Sequence, residues 1–160
     1  MNRKALVPTV ITVAVLALAA TSPLASRWRE GNEAIEPMTA RVRMNGENIF
    51  VTVPRTSSES AKGLGGVTTL GADQGMLWRY DTPKMVTFWM KGMKFALDFI
   101  WIRDGQVIGV TPNIPPLAST RDKLVLYRPP ALVDRVLEVN AGFSVAHQIS
   151  VGTAVTEFDF

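Results

Sequence analysis

The dipeptide Asn45-Gly46 is the feature that most constrains what this chain can fold into. It lies between two runs, TARVRM and ENIFVTV, in which apolar and polar residues alternate. Such alternation is typical of a strand with one buried face. An Asn-Gly pair suits a two-residue type I′ turn, because both central residues of that turn need a positive φ. The sequence therefore predicts a β-hairpin over residues 39–53.

Short strand patterns continue along the chain. Strands are expected at residues 76–80, 86–90, 97–103, 106–110, 134–139 and 153–158, with a short edge strand at 124–128. The dipeptide Asp104-Gly105 predicts a second hairpin, whereas the proline-rich stretch 111–122 predicts a loop. Strands of this length with tight turns predict a mainly β fold, a small antiparallel β barrel or sandwich.

Helix signals are few. Thr56 and Glu59 have the spacing of a capping box, in which a hydroxyl and a carboxylate each accept a hydrogen bond from an otherwise unpaired amide. The glycines at 63, 65 and 66 end that helix within two turns. Near the C-terminus, the stretch FSVAHQI is either a second short helix or an extended segment. One or two short helices are therefore expected beside the strands.

The first 25 residues have the layout of an export signal. Arg3 and Lys4 give a basic start, and the run ALVPTVITVAVLALAA that follows has no charged residue. The run is shorter than the ~20 residues of a spanning helix, and the segment ALA at 17–19 offers a cleavage site. A cleaved signal peptide and a membrane anchor through residues 5–25 both stay open. We expect a domain exported across, or anchored in, the cytoplasmic membrane.

Composition narrows the function of the remaining domain, residues 38–160, which a polar linker at 26–37 precedes. The chain has no cysteine, which excludes disulfides, a thiolate nucleophile and a zinc-thiolate site. Its formal net charge is +3, and Arg3 and Lys4 account for two of these charges. No block of like charge follows, so we expect no nucleic-acid partner.

Several linked motifs resemble the DUF192 family, a domain of unknown function. They are VPRT, GL, GMLWRY, FWMKGM, ALDFIWIRDGQVIGV, VLEVNAG and VGTAV, in this order over about residues 48–158. The sequence departs from the family pattern at Gly65, where the family commonly has Met, and at Gly92, where it commonly has Asn. If that Asn supplies a polar contact, this chain lacks it. The resemblance implies a small, mostly β domain that is often exported, and it implies no established activity.

Asp98 stands in the apolar run LDFIWI, where its charge needs compensation. A buried carboxylate is costly unless a cation or several hydrogen bonds stabilise it. The candidate partners are Arg55, Lys91 and backbone amides of the adjoining strands. Two interpretations stay open: Asp98 is a structural anchor, or it is the polar floor of a binding pocket.

Aromatic and methionine side chains gather in the same region. The tryptophans at 78, 89 and 101 lie there with three phenylalanines, and these rings either stack on a sugar or peptide or fill the core. The methionines at 76, 85, 90 and 93 are possible Cu(I) ligands, but methionine also fills irregular gaps in a core. The one histidine, His147, is distant in the sequence. We therefore expect no metal and no other cofactor.

The expected function is binding. We predict a non-catalytic module for a small ligand or an extended peptide, with the proline-rich loop at 111–116 beside its site. The predicted ligand-binding residues are Arg55, Trp89, Met90, Lys91 and Asp98.

Two alternatives stay open. A hydrolase or isomerase would use Asp98 with Glu138 or Arg55, and it requires titratable groups that converge on one concave surface. Asp98 and Glu138 together would resemble a glycosidase pair, whose carboxyl groups lie ~5 to 9.5 Å apart. A scaffold would instead present an edge strand or a loop to another envelope protein.

Overall fold

A computed structural model describes residues 37–119 and 123–160 of the chain. In chain order, the elements are β1 (Ala40–Met44), β2 (Glu47–Thr52), α1 (Ser57–Lys62), β3 (Gln74–Lys84), β4 (Leu97–Arg103), β5 (Gln106–Ile114), β6 (Val133–Asn140), α2 (Phe143–Ala146) and β7 (Thr156–Asp159). Neither helix in this part of the chain has the length and apolar character that a membrane crossing needs. The predicted signal or anchor, and the linker up to residue 36, lie outside the described residues.

The strands form one mixed sheet in the order β5-β4-β6-β3-β2-β1-β7. Every neighbouring pair is antiparallel except β2 and β3, which run parallel. A parallel pair needs a crossover connection, and α1 lies within this one. The prediction of a mainly β fold with short helices is confirmed.

The sheet is not closed into a barrel, and the prediction of a barrel or sandwich is corrected here. In the described part of the chain, the outer strands β5 and β7 form no ladder with each other. The segment just before β7 makes one isolated bridge, Gln106 to Ala154, and the Val107 amide donates to the Thr153 carbonyl at 2.9 Å. From residue 156 onwards the chain pairs with β1 instead. The contact with β5 therefore does not continue as a ladder that would close the sheet.

Both faces of the central strands are buried. One face, here called the aromatic face, carries Trp78, Phe99, Trp101 and Val136. The opposite, aliphatic face carries a second buried cluster that includes Leu77, Ile100, Ile102 and Leu137. Six of the seven residues of β4 are buried. A strand covered on both sides has a nearly continuous apolar sequence, which explains the run LDFIWI.

The two predicted hairpin turns are confirmed. Asn45 and Gly46 have φ values of 46° and 87°, and Asp104 and Gly105 have values of 51° and 70°. The predicted α1 cap also forms, with the Thr56 hydroxyl accepting a hydrogen bond from the Glu59 amide at 3.1 Å.

Several predicted strand limits are wrong. Residues 86–90 form no strand, and only Phe88 makes a bridge there, to Tyr127 of the predicted edge strand. The strand predicted to end at residue 80 is longer, because β3 continues through a register shift to Lys84. β5 extends to Ile114, so the predicted loop begins later. Pro112 is tolerated there because an edge strand has one side without ladder partners.

Candidate functional site

The structure places Asp98 in the interior. Asp98 lies in β4 opposite Val139 of β6, and its exposed fraction is 0%. Its Oδ1 accepts hydrogen bonds from the amides of Asn113 at 2.8 Å and Gly142 at 3.1 Å. Its Oδ2 accepts from the amide of Ser144 at 2.9 Å and from the Ser144 hydroxyl at 2.5 Å. Main-chain amides and one hydroxyl therefore stabilise the carboxylate.

Local backbone conformation brings these donors together. The register of β4 against β5 shifts between Leu97 and Phe99, and the extra residue of β5 produces a bulge. Asn113 lies in that bulge with a φ of 54°, and Gly142 precedes α2 with a φ of 85°. Asp98 therefore joins β4, the end of β5 and the start of α2. This arrangement favours the interpretation of Asp98 as a structural anchor.

A cavity of about 720 Å³ lies on the other side of the sheet. Its walls are α1 with the residues before it, the second half of β3, and the segment that follows β3. Five basic residues line it: Arg55, Lys62, Arg79, Lys84 and Lys91. Of the predicted ligand-binding residues, Arg55, Trp89 and Lys91 line this cavity.

The two other predicted ligand-binding residues do not line the cavity. Asp98 is held by the donors described above, and Met90 is a core residue with an exposed fraction of 1%. The structure therefore brings three of the five predicted residues together in one cavity, and their role in binding stays a prediction.

The end of α1 shapes one wall. Gly63 caps the helix with a φ of 53°. A β-carbon on this residue would lie 3.3 Å from Cζ2 of Trp78, which is tighter than an ordinary contact. Glycine therefore serves both the helix end and the close approach to the ring.

Aromatic rings form much of the cavity lining. Trp78 and Phe88 meet edge to face with ring centroids 5.0 Å apart, and Phe88 continues the contact to Trp101 at 5.8 Å. These rings belong to the core on the aromatic face. Trp89 differs because 43% of its surface is exposed, so this ring is available to a ligand. Tyr80 also lines the cavity, and its exposure is intermediate.

Glu138 is the one acidic residue that lines the cavity. It lies in β6 between Met76 of β3 and Phe99 of β4, which places its side chain on the aromatic face. Its exposed fraction is 5%, and it makes no hydrogen bond or ion pair with the residues that the structure describes. Burial raises the pKa of the Glu138 carboxyl to about 8. Burial and the Glu138 charge raise the pKa of Tyr80 to about 12.

The partners of Lys84 and Arg79 can be named. Nζ of Lys84 lies 4.1 Å from the ring centroid of Tyr80. The Arg79 guanidinium pairs with Glu157 at 2.9 Å and with Asp159 at 2.6 Å, away from Glu138. Arg55 and Lys91 are exposed at the mouth of the cavity.

Asp98 and Glu138 do not converge. Their strands are neighbours, but Asp98 is paired with Val139 and Glu138 with Phe99, so the two side chains point to opposite faces of the sheet. In the sequence, Glu138 was considered as a catalytic partner of Asp98 and was not among the predicted ligand-binding residues. The register of β6 against β3 and β4 determines that Glu138 faces the cavity, and no local sequence pattern predicts this register. Tyr80 and Lys84 were not singled out at all.

Metal ligands are scarce in this region. Within residues 37–119 and 123–160, no three His, Asp or Glu side chains gather in a way that could hold a metal ion. His147 packs on Phe143, with ring centroids 4.2 Å apart, and its Nδ1 lies 3.4 Å from Glu47. It does not line the cavity.

Comparison with known proteins shows one family and two related structures. Residues 39–157 match the model of DUF192, described as Uncharacterized ACR. A structure from Sinorhizobium meliloti 1021, described as "a putative transcription regulator", has 25% sequence identity and a TM-score of 0.68, covering 78% of this chain and 97% of that one. A protein of unknown function from Novosphingobium aromaticivorans DSM 12444 has 30% identity and a TM-score of 0.65, covering 77% and 91%. No curated protein matches the chain.

Proposed function

The chain belongs to the DUF192 family, and we propose that its domain is a non-catalytic module that binds a small ligand or a peptide segment in the cavity beside α1. The observation that carries the proposal is the cavity itself, in which exposed cations and aromatic rings surround one buried acid without a partner among the described residues. Its volume lies within the roughly 300–1,000 Å³ that is typical of small-molecule sites.

An enzyme based on paired carboxyl groups receives no support from the geometry. Such a pair must act on one substrate from the same concave surface, whereas Asp98 and Glu138 face opposite sides of the sheet. The four hydrogen bonds to Asp98 also leave it no role as a base towards a ligand in the cavity. The proposal therefore assigns binding to Arg55, Trp89, Lys91 and Glu138, and no chemistry. It includes no nucleic acid and no cofactor.

Blocking the cavity tests the proposal. Ser60 and Ser58 both lie exposed in α1, but only Ser60 lines the cavity. The purified chain is screened by ligand-observed NMR against small acids, amines, sugars and dipeptides. Ligands of the wild type should lose binding in Ser60→Trp and keep it in Ser58→Trp. The proposal is wrong if no compound binds, or if every compound that binds does so equally well to Ser60→Trp.

Location is a separate proposal. The basic start and the apolar run in residues 1–25 support a domain that is exported or held at the outer side of the cytoplasmic membrane. The test uses cells whose outer layers have been removed and whose cytoplasmic membrane is intact. Protease added to these cells should degrade the domain of the full chain, whereas a cytoplasmic marker protein should not be degraded. Protection of the domain equal to that of the marker would contradict this location.

A protein-interaction scaffold is the second candidate function. Three consecutive apolar residues, Leu124, Val125 and Leu126, have exposed fractions of 40%, 50% and 50%. Exposed apolar side chains in a group are common at protein contacts. Chemical crosslinking in cells, followed by purification of the chain, should recover one stable protein partner if this candidate is correct. The ligand-binding proposal requires no such partner.

A further inference from the structure

We infer that the cavity takes a zwitterionic ligand, with an ammonium group at the inner end against Glu138 and the aromatic rings, and a carboxylate or phosphate at the mouth against Arg55 and Lys91. This inference rests on the proposed function and names the class of ligand for the same site. The arrangement of charge along the cavity carries it.

At the inner end of the cavity, none of the described basic residues pairs with the buried acid. Glu138 is nearly fully buried and, among the described residues, has no hydrogen-bond or ion-pair partner. A buried carboxyl group must either keep a proton or gain a cation, because an unpaired charge in an apolar site is costly. A ligand ammonium would supply that cation and satisfy the carboxylate.

The rings around Glu138 also favour an ammonium group. The faces of aromatic rings attract cations through their negative electrostatic potential. The chain itself uses this attraction in the same cavity, where Nζ of Lys84 lies 4.1 Å from the centroid of Tyr80. Trp78, Phe88 and Trp89 provide three further rings in the lining. An acid beside several rings is therefore suited to an amine.

The mouth has the opposite charge. Arg55 and Lys91 are exposed there, and Glu138 is the one acid among the lining residues. A ligand with an ammonium group alone would be repelled by the basic residues as it enters. A ligand with an acid alone would leave Glu138 without a cation. Only a ligand with both charges matches both ends of the cavity.

Binding of an ammonium group would be linked to loss of a proton. Because burial raises the pKa of Glu138 to about 8, the carboxyl carries a proton at pH 7 and must release it to pair with the ligand. Affinity should therefore rise as the pH rises towards 8. The other titratable or charged groups that line the cavity are Arg55, Lys62, Arg79, Tyr80, Lys84 and Lys91. Glu138 is the one carboxylic acid in this lining.

Four matched probes test the inference on the purified full chain. The probes are 6-aminohexanoate, hexanoate, hexylamine and 6-hydroxyhexanoate, titrated by NMR at pH 6.5 and pH 8.5. At pH 8.5, 6-aminohexanoate should bind about tenfold more tightly than each of the others, since one ion pair with its rings is worth on the order of 1.4 kcal/mol. Its affinity should fall on the order of tenfold at pH 6.5, where Glu138 is protonated.

Two further measurements separate Glu138 from the mouth. Glu138→Gln should remove the preference for 6-aminohexanoate and its pH dependence, whereas it should bind hexanoate no more weakly than the wild type does. Arg55→Ala should weaken 6-aminohexanoate and hexanoate by the same factor. Calorimetry of the wild type at pH 7, in two buffers with different ionisation enthalpies, should show that binding of 6-aminohexanoate releases nearly one proton from the protein.

Specific outcomes overturn the inference. It is wrong if hexanoate or 6-hydroxyhexanoate binds as tightly as 6-aminohexanoate at pH 8.5, or if the wild type releases no proton. It is also wrong if none of the four probes binds while other ligands bind the wild type and lose binding in Ser60→Trp. In that case the proposed function stands. If no compound of any class occupies the cavity, both the inference and the proposed function fail.

Discussion

Asp98 and Glu138 are two buried acids on neighbouring strands, and the fold treats them in opposite ways. Asp98 of β4 lies on the aliphatic side and receives hydrogen bonds from three amides and one hydroxyl. Glu138 of β6 lies on the aromatic face and has no such partner among the described residues. A fixed set of donors stabilises a charge permanently, and such an acid holds the structure together. An acid without donors is stable only with a proton or an added cation.

The comparison of Asp98 with Glu138 distinguishes a buried acid that stabilises the fold from a buried acid that is available to a ligand. Removal of Asp98 leaves several buried donors without an acceptor, so the cost falls on folding. Removal of the Glu138 charge leaves no donor behind, so the cost falls on whatever Glu138 binds. The same kind of acid in the same kind of apolar strand therefore has two different roles.

Asp98→Asn should produce the largest effect on stability. The amide NH₂ of asparagine is a donor and would face amides that also donate, so at least one hydrogen bond is replaced by a repulsive contact. We expect a loss of about 4 kcal/mol in the free energy of unfolding, as for a broken buried charge interaction. Urea denaturation at pH 7 measures it, with Glu138→Gln as the matched control that should lose no stability. A loss in Asp98→Asn no larger than that in the control would remove the distinction between the two acids.

The pH dependence of stability should give the next largest effect. The pKa of Glu138 rises from 4.5 to about 8 on folding, so the folded state holds the proton more tightly than the unfolded state. The resulting contribution to stability is complete below the unfolded pKa and is lost as the pH rises through the folded pKa. Between pH 5 and pH 8, the wild type should lose roughly 3 kcal/mol relative to Glu138→Gln.

Thermal or urea denaturation of both proteins at several pH values measures this difference. The wild-type curve should decline more steeply, because glutamine does not titrate. Parallel curves between pH 5 and pH 8 would show that Glu138 does not keep its proton on folding, and the contrast with Asp98 would disappear.

Turn chemistry was predictable from sequence because it is local. Asn45 and Gly46 adopt positive φ values for reasons contained in the two residues themselves, and the same holds for Asp104 and Gly105. β4 begins and ends at the predicted residues because its apolar run is continuous. The motifs that resemble DUF192 were also sufficient to identify the family.

Partners and faces were not predictable because they depend on distant parts of the chain. The donors to Asp98 come from the end of β5 and the start of α2, and a bulge at Asn113 is needed to aim one of them. The side of the sheet on which Glu138 lies depends on its register, and a shift by one residue would reverse it. The barrel prediction failed for a similar reason, since no local pattern reveals that the last strand pairs with β1 and forms no ladder with β5.

Ser144→Ala should produce a smaller effect on the Asp98 side. It removes the hydroxyl donor at 2.5 Å and leaves the amide donors in place. A hydrogen bond to a charged group contributes about 1.5 kcal/mol or more, and we expect a loss of that size in the free energy of unfolding. Ser150→Ala, the same change at an exposed position, is the control and should cost less than about 0.5 kcal/mol. Equal effects in the two variants would mean that the hydroxyl adds nothing to the stabilisation of Asp98.

Trp89→Ala should have the smallest effect on stability and should act instead on binding. The ring is 43% exposed at the cavity mouth, so its removal should cost less than about 1 kcal/mol of unfolding free energy. It should weaken any cavity ligand by about fivefold, because one ring contact contributes on the order of 1 kcal/mol. Val145→Ala is the control, since this apolar side chain is 72% exposed and lies in α2, on the Asp98 side. Binding by Val145→Ala should equal that of the wild type. A loss of stability in Trp89→Ala without any loss of binding would assign the ring to the core. The cavity beside Glu138 would then not be the ligand site, and the contrast between a structural acid and a ligand-binding acid would lose its support.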